Sequence, residues 1–158
     1  LVGSEMCIRD SIDALNELSK EIHANNVNAG WWTDLKFDEK VQKLKDRGFE
    51  QASIDTILET LGIERSTLKT RNKGELLMLV VSEIAEAMEG VRKNLMDDKL
   101  PHRQMLEVEL ADAFIRMFDI AGAYGLDLGG AIAEKRNFNA SRADHKIENR
   151  LKDNGKKF

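Results

Sequence analysis

Proline occurs once in the 158 residues, at Pro101, and nowhere do β-branched residues alternate with polar ones over the length of a strand. Apolar residues recur instead three and four apart, the spacing of one helix face. The chain is therefore expected to be all-α. A first helix is predicted from about Ser11 to Val27, with Ser11 as its N-cap and Ile12, Leu15, Leu18 and Ile22 along one stripe. A second long helix is predicted from Glu75 to Asn94, and a third from His102 to Ala123, stopped by Gly125. Asp127 is placed to cap a fourth, ending near Ala143. Short loops between long helices predict an antiparallel four-helix bundle.

The same pass divides the chain. Residues 1–10 (LVGSEMCIRD) lack an initiating Met and the apolar core of a signal peptide, and are expected to be an artefactual or disordered tail. A helical domain is expected over 11–145, with a helical insertion at 37–72 punctuated by Gly48 and Gly62. Residues 146–158 read as a polar C-terminal tail.

Composition narrows the function classes. With 42% apolar and 33% charged residues the chain is too hydrophobic for disorder and too charged for a membrane protein. Its longest apolar run, Leu76 to Val81, is six residues; a membrane span needs about twenty. One cysteine, Cys7, can form neither an internal disulfide nor a thiolate zinc cluster. A cytoplasmic protein with no membrane partner is expected. The formal charge of −4 argues against a general nucleic-acid coat.

Charge placement is more informative than charge total. At about 100° per residue, Glu86 falls roughly 60° from Glu83 on the second long helix, on a face shared with Leu76, Leu79 and Val80. The third helix repeats the arrangement: Glu109 and Asp112 lie three apart on a face with Met105, Leu106, Ala113 and Arg116. Carboxylate pairs at this spacing commonly form a solvated surface, but here the flanking residues are apolar on nearly every side. Buried carboxylates without partners repel one another and rise in pKa. A divalent cation relieves both penalties, and an all-oxygen ligand set suits Mg²⁺ or Mn²⁺. A di-iron bundle would need Glu-x-x-His on two helices. None of His23, His102 or His145 has a Glu three residues before it.

Glu83-Ile-Ala-Glu86, with Glu89 continuing the ladder, followed by Glu109-Leu-Ala-Asp112, resembles the ExxE…ExxD signature of MazG-like all-α nucleoside triphosphate pyrophosphohydrolases. Lys135, Asn139 and Arg142 on the fourth helix resemble that family's phosphate-binding element. The resemblance covers Gly74 to Arg150 and implies a MazG-like bundle that assembles as a homodimer or a dimer of dimers. It implies cleavage of a nucleoside triphosphate to monophosphate and pyrophosphate, with Mg²⁺ (Mn²⁺ also possible) held by Glu83, Glu86, Glu109 and Asp112. Glu83 and Glu86 are the implied catalytic carboxylates, with Glu86 accepting the proton of the attacking water. Lys135, Asn139 and Arg142 would bind the phosphates. Trp31, Trp32, His23 and Asn26 are the implied base-binding candidates. Some relatives carry an aromatic where this chain has Lys93.

A second reading comes from the insertion. Leu61-Gly62-Ile63-Glu64-Arg65-Ser66-Thr67-Leu68 resembles the turn and recognition helix of a helix-turn-helix, with Arg65, Lys69, Arg71 and Lys73 adding local positive charge. Leu58 stands where such motifs prefer a small residue, and the acidic remainder weighs against DNA as a partner. The insertion then reads as a spacer or lid.

Overall fold

A computed structural model describes residues 2–65 and 71–155, and the side chains from residue 7 onward in those ranges. Helices account for the architecture, and among the described residues there is no strand, only an isolated bridge between Met96 and Gln104. In chain order the α-helices are α1 (Val2–Asn28), α2 (Leu35–Asp46), α3 (Gln51–Thr60), α4 (Lys73–Lys93), α5 (Met105–Ala123), α6 (Leu128–Ser141) and a short α7 (Ile147–Arg150). A 3-10 turn at Ala143–His145 separates the last two. No helix among the described residues is long and apolar enough to cross a membrane.

Four of these helices pack in the order α4, α5, α1, α6, while α2 and α3 pack on each other. Residue pairings show that the neighbours run antiparallel. On α4 and α5, Glu83 meets Arg116 and Gly90 abuts Met105. On α1 and α5, Ser19 lies against Gly122 while His23 and Asn26 reach back to Asp119. The bundle is tightest where glycine removes a side chain. A Cβ on Gly122 would stand 2.4 Å from the Ser19 carbonyl oxygen, and one on Gly129 would stand 2.6 Å from that of Ile12. These two glycines let α5 and α6 close on α1.

Polar side chains cap the starts of α2, α4 and α6. The Asn72 side chain accepts from the backbone N–H groups of Gly74 and Glu75 at the start of α4. Asn94 ends that helix in the left-handed region (φ 53°), a conformation asparagine tolerates. Asp127 caps α6 as expected, accepting from the Gly130 N–H, and Asn16 of α1 ties the same turn down by donating to Asp127 and accepting from the Gly129 N–H.

Three helix boundaries differ from expectation. Ser11 is no N-cap: α1 is already helical from Val2, and the Ser11 hydroxyl donates to the Cys7 carbonyl one turn back. Residues 2–10 thus continue α1. The third long helix begins at Met105 rather than His102, because Asp97 folds the connection first by accepting from the N–H groups of Lys99 and Leu100. The fourth ends at Ser141, before Ala143, and Arg142 already has extended backbone (φ −69°, ψ 129°). Along α1 the buried centre is Ser19, with Leu18 exposed, because the close approach of Gly122 falls on Ser19.

Both α4 and α5 are apolar on more than the side they bury. The interior stripe of α4 contains Leu76, Glu83, Ala87 and Gly90, and that of α5 contains Glu109, Ala113 and Ala121. Leu77, Val81, Ile84, Met88 and Val91 of α4 stay exposed, as do Leu110, Phe114 and Met117 of α5. Their spacing of three and four residues makes a continuous outward stripe on each helix.

Candidate metal centre and adjoining aromatic cleft

Glu83 enters the interior because it lies seven residues beyond Leu76, on the stripe that packs against α5. Glu109 does the same from α5, and both are buried. Glu86, one turn after Glu83, is exposed at the rim. One carboxylate oxygen from each of Glu83, Glu86 and Glu109 lies within 4.8 Å of the others. Three hard oxygen donors so arranged fit a divalent cation such as Mg²⁺ or Mn²⁺. Asp112 is not part of this close triad. It lines the same cavity of about 440 Å³, with Asp97, Lys99 and Arg116.

Electrostatics record the crowding. Burial above all, then the charges of Glu86, Glu83 and Asp112, pushes the Glu109 carboxyl up to about 7. A hydrogen bond between Glu109 and Glu83 contributes, and such a bond requires a proton on one of the pair. The Asp112 carboxyl is also raised, by partial burial first and by Glu83 second, against the opposing pull of Arg116. One cation is already at hand: Arg116 Nε donates to Glu83 Oε1 at 2.5 Å. Glu89, the next rung of the acidic ladder, instead forms ion pairs with Arg92 and Lys93 of its own helix.

A second cavity of about 240 Å³ opens on the other side of Asp112 and Arg116. Trp31, Trp32, Asn26 and Arg71 form one wall, and Leu76, Leu79 and Ile115 make the floor apolar. Gly30 puts the tryptophans there. Its positive φ of 85° ends the helical path of α1, and the Trp31 N–H then bonds back to the Asn26 carbonyl. Trp32 is held from below and above. Its indole Nε1 donates to both carboxylate oxygens of Asp119, the His23 ring meets it edge-on at 5.1 Å, and the Arg71 guanidinium lies 5.2 Å over its face. Trp31 remains 71% exposed.

Asp119 is the organising group of this wall. Besides Trp32 it accepts from Asn26 Nδ2 at 2.8 Å and lies 2.7 Å from His23 Nδ1, so α1, the turn after it and α5 converge on one carboxylate. Asn26 keeps its carbonyl oxygen and a second N–H to present to the cleft. His23 does not line the cleft itself; it braces Trp32 and Asp119.

The structure therefore joins Glu83, Glu86, Glu109 and Asp112 around one cavity, and Trp31, Trp32 and Asn26 around its neighbour. Lys135, Asn139 and Arg142 line neither. They lie on and just past α6, which packs on α1. Lys135 sits 5.0 Å over the Phe138 ring, Arg142 makes a two-point ion pair with Asp144, and the Asn139 side-chain oxygen Oδ1 is buried with no hydrogen-bond partner among the described residues. The helical face shared by these three residues is cut short because α6 ends before Arg142.

Sequence reasoning missed Asp119, Asp97 and the bridging position of Arg116. Asp119 was legible, since it follows Asp112 by seven residues and so returns to the same helix face. Asp97 was not, because a turn aspartate in a connection has no periodicity to betray it. In the insertion, Arg65 pairs with Asp38 of α2 and lies 4.7 Å over Phe37, turned toward its own subdomain. Ser66, Thr67, Leu68 and Lys69, the rest of the expected recognition helix, lie outside the described residues. No protein-family model, curated protein or solved structure matches the chain significantly.

Proposed function

We propose that the chain is a Mg²⁺-dependent nucleoside triphosphate pyrophosphohydrolase of MazG-like type, releasing monophosphate and pyrophosphate. The observation that carries this reading is the convergence of Glu83, Glu86 and Glu109 from two antiparallel helices, beside a cleft walled by Trp31 and Trp32. A planar base fits an aromatic wall with an amide at its edge, and the triphosphate of such a ligand would extend past Asp112 toward the carboxylates. Bound there, Mg²⁺ supplies charge neutralisation at the phosphates and a more acidic water. Glu86, exposed at the rim, would accept that water's proton, and the buried Glu83 and Glu109 would hold the inner side of the ligand set.

The proposal includes a homo-oligomer, a dimer or a dimer of dimers. It is supported by the outward apolar stripes of α4 and α5, which one protomer leaves uncovered. Because Lys135, Asn139 and Arg142 stand away from both cavities, their phosphate-binding role is assigned to the site of a neighbouring copy. The deciding experiment is pyrophosphate release from the common ribo- and deoxyribonucleoside triphosphates with Mg²⁺ and with Mn²⁺. Release by the wild type that Glu86→Gln or Asp112→Asn abolishes is expected. No release from any member of the panel overturns the reading.

A further inference from the structure

Among the described residues, Arg116 is the one basic residue that lines both the carboxylate cavity and the aromatic cleft. Its side chain is 40% exposed while its partner Glu83 is 8% exposed, so the guanidinium reaches from solvent into the cluster. That contact uses Nε. Among the described residues, the two Nη groups make no hydrogen bond, so four of the five N–H donors of the fork are unclaimed on a residue that lines both cavities.

Arg116 and a divalent cation compete for the same carboxylate. Glu83 is one of the three residues whose oxygens converge. A cation drawing on those oxygens weakens the hold of Glu83 on Nε, and the guanidinium is then left at the junction where a ligand spanning both cavities must pass. Guanidinium is the side chain best matched to two phosphate oxygens at once.

Resting on the reading above, we infer that Arg116 is a shared counter-ion of the two cavities. It neutralises Glu83 while the carboxylate cluster holds no cation, and it binds the phosphate nearest the base when a divalent cation takes its place. Arg116 therefore opposes metal binding alone and favours metal and phosphorylated ligand together. A structural role would not split these effects, because a damaged site weakens both ligands.

The test measures two affinities on the full-length chain. Mn²⁺ binding is followed by the loss of its free electron-paramagnetic signal. Binding of a non-hydrolysable triphosphate analogue, in saturating Mn²⁺, is followed by tryptophan fluorescence, since Trp31 and Trp32 are the only tryptophans and both line the cleft. In Arg116→Gln, Mn²⁺ alone is expected to bind more tightly, by about tenfold for the loss of one adjacent positive charge. The analogue is expected to bind about tenfold or more weakly for the loss of a charge-assisted contact, while the unphosphorylated nucleoside is unaffected. Arg116→Lys keeps the charge and guards against misfolding; it should leave Mn²⁺ affinity near wild type and still weaken the analogue. If Arg116→Gln moves both affinities in the same direction, or neither by more than about twofold, the inference is overturned, while Mn²⁺ binding by the wild type leaves the proposed function standing. If wild-type protein binds no Mn²⁺, the proposed function falls as well.

Discussion

Glu109 holds its proton to about pH 7 because burial and three neighbouring carboxylates all disfavour its charge. The ordinary value is 4.5. Between 4.5 and about 7 the folded chain therefore binds more protons at this group than the unfolded chain does, and stability falls as pH rises through that window. Thermal unfolding in chelator should show a melting temperature that declines from pH 5 to pH 8, with a shallower decline in Glu109→Gln. A flat or rising wild-type profile that Glu109→Gln leaves unchanged would contradict this account. Because a cation must displace the proton, Mn²⁺ affinity should weaken as pH drops below 7. A second prediction concerns Asp119, which gathers Trp32, Asn26 and His23. Asp119→Asn replaces one acceptor oxygen with a donor, so it should loosen Trp32 and shift its emission to longer wavelength without loss of helix content. Unchanged emission would show that the wall is held by other contacts.

Helix geometry explains both what was readable in the elements and what was not. The interior stripes of α4 and α5 follow from periodicity, and the Glu83, Glu86, Glu109 and Asp112 set was visible as charge on apolar stripes. Helix starts were less visible, because they depend on competing local bonds: Ser11 bonds to the turn before it, and Asp97 folds the connection ahead of α5. Close helix contacts depend on neighbours far away in the chain. Gly122 and Gly129 look like weak points of helices by propensity, yet each lies where a carbonyl of α1 comes closest. Gly129→Ala should therefore destabilise the chain by about 1–3 kcal/mol in urea unfolding, despite the better helix propensity of alanine. A neutral or stabilising result would mean that α6 can stand off from α1 without cost.

At the scale of the molecule, the packed helices α4 and α5 each leave an apolar stripe exposed, Leu77, Val81, Ile84, Met88 and Val91 on one and Leu110, Phe114 and Met117 on the other. An apolar surface of this extent is expected to be covered by a second copy. Light scattering at micromolar concentration should give at least a dimer, and Leu77→Lys with Ile84→Lys should reduce it to a monomer of unchanged helix content. A monomeric wild type would count against the oligomer. The same experiment bears on Lys135, Asn139 and Arg142, which line neither of the protomer's two cavities and, on the proposed reading, would meet phosphate in a neighbouring copy.

Periodicity and charge placement by themselves determined the all-α class, the long helices and the carboxylates of the candidate metal centre, because a 3.6-residue repeat assigns faces before any helix has a neighbour. Only the tertiary structure decided which faces meet. It closed α5 and α6 on α1 through two glycines, brought Asp119 beneath Trp32, and kept the α6 bases away from the carboxylates. Those outcomes depend on contacts between residues as far as 113 positions apart, whose partners local sequence does not name. The placement of Arg116 between the two cavities is of this kind: its helix face was legible, and its double role follows from the cleft that Trp31 and Trp32 build opposite.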